Sequence, residues 1–203
     1  KLKDGDEIVQ TFETTNAKEL LFFTNKCQVY KTTAAFFEDS KASVLGDYLP
    51  AKLEMEEGEL PVYMAVTNDY SGYMMFFFEN GKAAKIDMKA YQTVTKRKKL
   101  IKAFSDKSPV AAVMQLTEDK ELVVISSSGR HLLINTAVIL PKTTKDTIGV
   151  GVMTLKKGHR LMTAREYRDG EFAKPHRYKA KNLPAAGALL SNDDEAEQIT
   201  FVP

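Results

Sequence analysis

A run of cations between residues 96 and 102 is the feature of this sequence with the clearest chemical meaning. No acid interrupts the run, whose cations are Lys96, Arg97, Lys98, Lys99 and Lys102. On a loop, such a cluster can contact successive phosphate groups, which gives affinity through counterion release and little base specificity. The alternative is a solvated basic loop or a targeting-like run. The cluster predicts a polyanionic partner, with nucleic acid first among the candidates.

The distribution of charge along the chain supports the same class of partner. The formal net charge is only +2. Residues 1–79 nevertheless carry 7 Lys/Arg against 14 Asp/Glu, whereas residues 80–190 carry 22 against 9. The last stretch, 191–203, holds 4 acids and no Lys or Arg, and it is interpreted as a solubilising tail or as an internal mimic of DNA. The basic middle of the chain is the expected footprint for a polyanion.

Other kinds of chemistry have no support in the residues. No carboxylate pair, Ser-His-Asp set or phosphate-cradling glycine loop can be picked out, so the chain is not expected to be catalytic. The single cysteine, Cys27, cannot form an internal disulfide, which fits a cytoplasmic location. The three histidines have no metal-ligand spacing, so no metal or cofactor is expected. No apolar run approaches 18 residues, so no membrane span is expected.

The elements that would carry the cations are set by an internal repeat. Three apolar runs, 20–37, 74–91 and 122–139, superpose with turns at Cys27, Gly81 and Gly129. A second marker, an apolar residue before a charged turn, recurs around residues 5, 58, 107 and 158. Both markers keep a period of about 50 residues, which is the size of a four-stranded propeller blade.

Each repeat has the pattern of β-structure. An apolar run ends at Asn-Gly or Ser-Gly in the second and third repeats, which is a hairpin signal. The fold class predicted is therefore all-β, a β-propeller or β-pinwheel built from four-stranded repeats. The predicted domain spans 1–190, with a partial blade at 1–18, repeats at about 19–72, 73–120 and 121–170, and a closing segment at 171–190. Residues 172–181 are expected to supply a closing strand for the first blade, and 191–203 form the acidic tail.

Further cations are candidate DNA contacts because of their positions in the repeat. Four lie in loops and turns one repeat after the basic cluster: Lys142, Lys145, Lys156 and Lys157. Four others lie on or beside the hairpins and form a second tier: Lys31, Lys85, Arg130 and His131. Lys41 is the lone cation in the loop of the first repeat. All are candidate DNA contacts, none of them essential alone.

The repeat resembles that of the C-terminal domain of the bacterial type IIA topoisomerase A subunit, found in gyrase and topoisomerase IV. The likeness rests on Phe23-Thr24-Asn25-Lys26 with Lys31-Thr32, on Asn80-Gly81 with Lys85, on the 149–158 strand, and on Lys181-Asn182-Leu183-Pro184. It covers about residues 2–190.

The resemblance implies a β-pinwheel that bends or wraps duplex DNA around a basic outer rim. The fragment would be monomeric and non-catalytic, and the ATP-dependent parent enzyme would supply its partners, the ATPase B subunit together with the rest of the A subunit. The parent would be cytoplasmic and nucleoid-associated. The gyrase heptapeptide Gln-Arg-Arg-Gly-Gly-x-Gly is absent from the sequence, which favours a protein of the topoisomerase IV type.

Two other functions are compatible with the repeat. A propeller can serve as a scaffold for protein partners, in which case its binding would be insensitive to salt. A module for single-stranded nucleic acid or RNA would need exposed aromatics beside its basic loops, whereas the aromatics here recur at strand positions and are expected in the core. DNA wrapping ranks first and the scaffold second.

Overall fold

The computed structural model describes residues 4–41, 43–95 and 97–195, and within them the chain forms three four-stranded antiparallel sheets. The helices named within the described residues are short, α1 (Leu49–Lys52) and four 3₁₀ turns, and residues 192–195 are also helical. The predicted all-β pinwheel of four-stranded units is thereby confirmed. The strands are β1 (Glu19–Thr24), β2 (Val29–Thr33), β3 (Pro61–Thr67), β4 (Tyr73–Phe78), β5 (Lys82–Asp87), β6 (Lys99–Leu100), β7 (Val110–Leu116), β8 (Glu121–Ser126), β9 (Arg130–Asn135), β10 (Val150–Gly151), β11 (Leu161–Glu166) and β12 (Ala188–Leu189).

Each sheet takes three strands from one repeat and its fourth from chain that follows. The strand orders are β3-β1-β2-β6, β10-β5-β4-β7 and β11-β8-β9-β12. The borrowed strands β6, β10 and β12 are two residues long, and each comes after the next hairpin or, for β12, after the third repeat. Neighbouring blades are therefore tied together by exchanged strands as well as by packing.

The continuous apolar runs of the hairpins follow from burial on both faces of the sheets. Successive side chains of a strand point to opposite faces. In β4, Phe76 packs between the first and second sheets, while Met75 and Phe77 pack between the second and third. In β1, Phe23 joins the same first core as Phe76, and Phe22 faces the other way. Both faces exclude water, so apolar residues do not alternate with polar ones.

The three sheets form an arc, and the two edge strands of each sheet lie on opposite sides of it. Strand β7 contacts both β3 and β11, so these three strands form the hub where the sheets converge. The borrowed strands β6, β10 and β12 lie at the opposite end of each strand order. They form the outer edge of the arc, and the chain around them is the part most available to a large partner.

The hairpin turns require left-handed backbone. Cys27, Gly81 and Gly129 have φ values of 55°, 82° and 76°. Gly81 meets an additional demand, since a Cβ there would collide with the carbonyl oxygen of Met153 in the chain next to β10. The predicted turn glycine is thus also a place where the borrowed chain approaches the hairpin closely.

The segment after β11 closes the third sheet and not the first, contrary to expectation. The Leu133 amide donates to the Tyr178 carbonyl at 2.9 Å, and β12 pairs with β9. Phe172 and Tyr178 cover a face of this sheet that carries Val123 and Leu133. Burying that apolar face is the physical reason for the placement.

Candidate nucleic-acid interface

Three stretches of chain run along the outer edges of the three sheets, and we call them the outer segments: 92–104, 140–153 and 174–190. The central hairpin strands donate to them in the same way. The Lys31 amide donates to the Lys98 carbonyl at 2.7 Å, and the Asp87 amide to the Lys142 carbonyl at 2.9 Å. The Leu133 amide makes the matching bond to Tyr178 on the third sheet. Each outer segment is therefore fixed to its sheet by at least one backbone hydrogen bond in addition to its two-residue strand.

The first outer segment carries the basic cluster of the sequence. Arg97, Lys98 and Lys102 are exposed, while Lys99 lies on β6 and is half-buried. Lys102 has a left-handed φ of 53°, which turns the chain directly after β6. Lys96, also predicted as a DNA contact, lies outside the described residues. Three described cations of the cluster are thus free to meet a polyanion at this edge.

Lys99 is the exception in the cluster, because it is already paired. Its Nζ lies 2.6 Å from Glu56 Oε1, and Lys26 Nζ approaches the same carboxylate at 3.6 Å. Hydrogen bonds from Lys99 and Gln28 lower the pKa of Glu56 to about 2, and the bond to Glu56 raises the pKa of Lys99. A phosphate would have to compete with this carboxylate for Lys99.

The second outer segment contributes fewer cations. Lys142 is exposed, and its backbone forms hydrogen bonds with both Lys85 and Asp87 of β5. Lys145 is half-buried and is followed by Asp146, the one acid in the described parts of the three outer segments. This edge is basic, but less so than its neighbours.

The third outer segment is a basic stretch that the sequence analysis left out of its candidates. Lys174, Arg177, Lys179 and Lys181 are exposed, and the segment contains no acid. Lys179 pairs with Glu121 at 2.7 Å. The run of cations was visible in the sequence, but residues 172–181 were assigned to another sheet and their place on the outer edge was missed.

Two predicted contacts are held inside the protein. Lys85 is 3% exposed, and its Nζ lies 2.6 Å from Asp119 Oδ1 and 3.3 Å from the Thr136 carbonyl oxygen. Lys31 is half-buried, and its Nζ donates to the Tyr91 carbonyl and to Thr93 Oγ1, both at 3.1 Å. Burial lowers the pKa of Lys31. Both ammonium groups serve contacts between chain segments.

Arg130 and His131, which follow the third hairpin turn, also contact other parts of the protein. Arg130 Nη1 donates to the Gly187 carbonyl at 2.7 Å, which ties β9 to the third outer segment. His131 is 6% exposed, lies 3.0 Å from the Gly129 carbonyl through Nδ1, and meets Phe172 and Tyr178 edge-on. Burial lowers the pKa of His131, which favours the neutral ring. Its environment is that of a packed core residue.

The remaining candidates lie away from the outer edge. Lys156 and Lys157 are exposed in the turn before β11, where His159 Nδ1 lies 3.1 Å from Ser127 Oγ of the third hairpin turn. They sit at the hairpin end of the third blade. Lys41 is exposed in the loop after β2. Among the described residues there is no group of three or more His, Cys, Asp or Glu side chains that could hold a metal ion.

The sequence is similar to two curated proteins, both of them A subunits of DNA gyrase. It is 23% identical over 171 residues to the one from Borrelia hermsii, covering 83% of this chain and 21% of that protein. It is 25% identical over 183 residues to the one from Streptomyces coelicolor, covering 85% of this chain and 21% of that protein. The chain spans about a fifth of the length of these curated relatives. No protein-family model matches the sequence.

The fold is shared with solved domains. The C-terminal domain of DNA topoisomerase IV superposes with a TM-score of 0.79 at 20% identity, covering 93% of this chain and 63% of that one. The E. coli ParC C-terminal domain gives 0.67 at 12% identity, covering 95% and 84%. The DNA gyrase A C-terminal domain gives 0.61 at 16%, covering 93% and 65%. The described residues include no helix with the length and apolar character needed to cross a bilayer.

Proposed function

We propose that this chain, a C-terminal domain of a type IIA topoisomerase A subunit, binds duplex DNA along its three outer segments and bends it. The assignment to this family is supported by sequence similarity to gyrase A subunits together with the β-pinwheel fold. The domain has no catalytic role of its own in this proposal. It delivers DNA to the strand-passage machinery formed by the ATPase B subunit together with the rest of the A subunit.

One observation carries the proposal: strand exchange lines the outer edge of successive sheets with cations. The described parts of the three outer segments hold ten Lys and Arg residues and one acid. Backbone hydrogen bonds fix each segment to its sheet, so the cations are held along the outer edge. A duplex lying across three blades would meet positive charge at each of them.

The chemistry of these contacts is that of phosphate neutralisation. Lys and Arg side chains release condensed counterions when they contact phosphates, so affinity falls steeply with salt. Each phosphate contact makes the slope of log K against log salt steeper by about 0.9. Base edges are not required, and preference among sequences would come from how easily each one bends. We expect DNA binding of low sequence specificity.

The charge pattern also favours bending over a complete wrap. The first sheet pairs Lys99 with Glu56, and residues 1–79 are acidic overall. Contacts are therefore expected to concentrate on the exposed cations of the first outer segment, on the second and on the third. Lys156 and Lys157, at the hairpin end of the third blade, would extend the path beyond the outer edge.

Titration onto a linear duplex of roughly 150 base pairs, about one DNA persistence length, at several salt concentrations tests this function. Replacing Lys174, Arg177, Lys179 and Lys181 together by Ala should lower the slope of log K against log salt by about 3 to 4, because up to four phosphate contacts are lost. The same result is expected, with a smaller change, for Arg97, Lys98 and Lys102.

The matched control replaces two exposed lysines that lie outside the outer segments, Lys89 and Lys107. This variant should keep the salt slope of the unmodified protein. Absence of duplex binding at low salt would overturn the proposal, and a scaffold for protein partners, with salt-insensitive binding, would then become the better account. Equal effects of the control and the outer-segment variants would remove the outer edge as the interface.

A further inference from the structure

Two exposed apolar side chains occupy the same register position on the outer edges of the first and third sheets. Leu100 and Ala188 each pair with the second residue after the left-handed turn residue of a hairpin. The residues that directly follow them, Ile101 and Leu189, are 66% and 52% exposed. Large apolar residues that stand singly on a surface are ordinary. Recurrence at one position of the repeat distinguishes this pair.

On the second sheet the equivalent position is covered. Val150 makes the same pairing there, so the equivalent residue is Gly151. Gly151 has no side chain, and a Cβ built on it would lie 3.4 Å from Cγ of Pro184, which belongs to the third outer segment. The two open apolar positions are therefore separated by one blade.

The backbone on both sides of Ile101 is fixed. Leu100, directly before it, is 9% exposed and paired in β6, and the Ala103 amide donates to the first hairpin turn at 2.8 Å. Lys98 and Lys102 are exposed before and after Ile101 in the chain. An apolar side chain is thus presented to solvent between two cations.

Leu189 has a similar environment on the third sheet. It pairs across the strands with Arg130, whose Nη1 donates to the Gly187 carbonyl at 2.7 Å. Its Cδ2 would lie 3.8 Å from a Cβ at Gly129, so the side chain leans over the hairpin turn. Lys181, earlier on the same outer segment, is exposed. Leu189 is therefore also an apolar group that a paired strand holds beside cations.

This combination of groups fits the chemistry of a kinked duplex. Proteins that kink DNA insert apolar side chains between adjacent base pairs from the minor groove, while cations contact the phosphates. The inserted group must be apolar, exposed and firmly held, since it replaces part of the lost base stacking. The described parts of the first and third outer segments contain no acid, so their charge complements a polyanion.

We propose that Ile101 and Leu189 are apolar wedges that insert between base pairs of a bound duplex and kink it at two steps. The inference rests on the proposed DNA binding and adds the mechanism of the bend. Gly151, at the intervening position, leaves the duplex over the second blade without a kink. Because pyrimidine–purine steps kink and unstack easily, the wedges also give the domain a preference for DNA that contains steps such as TA.

The test compares two short duplexes of equal length, one with TA steps and one without pyrimidine–purine steps. The adenine analogue 2-aminopurine in a TA step reports unstacking by its fluorescence, and energy transfer between dyes at the two ends reports bending. We expect binding of the protein to raise the fluorescence and to shorten the end-to-end distance. The duplex with TA steps should be bound roughly tenfold more tightly than the other.

Replacement of both wedges separates kinking from phosphate binding. Ile101→Ser with Leu189→Ser should still bind duplex with a steep dependence on salt, because the cations are intact. It should lose the fluorescence rise, the shortening and the preference for TA steps. Ile101→Met with Leu189→Met should retain all three, since Met is also an apolar group that can insert between bases.

The matched control is Leu45→Ser with Met162→Ser, which replaces two residues that lie off the outer edge and are 87% and 50% exposed. It should behave as the unmodified protein in every measurement. Unstacking and bending that survive Ile101→Ser with Leu189→Ser would overturn the wedges and leave DNA binding standing.

Two other results would also overturn the wedges. Absence of duplex binding at low salt would remove the proposed function and the wedges together. A dimer of the unmodified chain that Ile101→Ser dissociates, with 2-aminopurine fluorescence unchanged on DNA binding, would assign the exposed pair to a protein contact.

Discussion

Lysines that look alike in the sequence have two different roles in the folded protein. Lys98 and Lys102 are exposed on the outer edge, whereas Lys85 is buried against Asp119. The difference arises from position in the sheets: Lys98 and Lys102 flank the edge strand β6, whereas Lys85 lies on the inner strand β5. Lys85 lies in the middle of β5, and its side chain spans to the loop before β8, so it contributes to blade packing.

The Lys85–Asp119 pair predicts an asymmetric cost of substitution. Asp119→Ala would leave a buried ammonium with only the Thr136 carbonyl and the face of the Tyr73 ring as partners, and we expect a loss of about 3 kcal/mol in the free energy of unfolding. Lys85→Met should cost only about 1 kcal/mol, because the Asp119 side chain is 40% exposed and can be solvated by water. Urea denaturation of both variants measures the difference, and a larger loss for Lys85→Met would contradict this account.

At the scale of elements, the borrowed two-residue strands depend on close backbone approach. Gly81 faces Met153 and Gly149 faces Ala83, so the chain leading into and out of β10 is seated against the second hairpin at both ends. Neither position has room for a Cβ. Close backbone packing at Gly81 and Gly149 therefore positions this part of the outer edge together with the hydrogen bonds.

Two glycine substitutions distinguish the energetic cost of the close backbone approach from the cost of left-handed backbone strain. Gly81→Ala should cost about 3 kcal/mol, since it combines left-handed strain with a collision against the Met153 carbonyl. Gly58→Ala is the matched control: its φ is also positive, at 72°, but open space surrounds the position, and about 1 kcal/mol is expected. Thermal or urea unfolding compares them, and equal losses would show that the contact with Met153 adds nothing.

At the scale of the whole molecule, the three outer segments present unequal charge to a partner. The second contains Asp146, whereas the first and the third contain no acid in their described parts and each have one lysine paired with a neighbouring carboxylate, Lys99 with Glu56 and Lys179 with Glu121. A duplex held along such an edge would be bent over part of the arc.

Bending without a complete wrap predicts a specific outcome with closed DNA. Short linear duplexes should cyclise faster when the domain is bound, because a bend lowers the elastic cost of closure. Nicked circles ligated in its presence should keep the linking number of protein-free circles. A reproducible shift in linking number would instead establish chiral wrapping and a gyrase-like role, and the third-segment variant should reduce either effect.

The sequence alone determined the repeat and the hairpins. Turn residues such as Gly81 and Gly129, and the apolar runs before them, act through local backbone preference, so they can be identified without tertiary contacts. Net charge along the chain is equally local. These features were sufficient to predict a fold of four-stranded β units, while the polyanionic partner and the individual contacts remain predictions.

Only the tertiary structure decided which cations share an edge. Lys98, Lys142 and Lys179 are far apart in sequence and come to lie on the outer edge because the outer segments pair over long separations with β2, β5 and β9. Such pairing depends on which apolar face remains to be covered, as Phe172 and Tyr178 show on the third sheet. Burial of Lys85 and His131 has the same origin, because a residue's exposure depends on its neighbours in space and not on its own type.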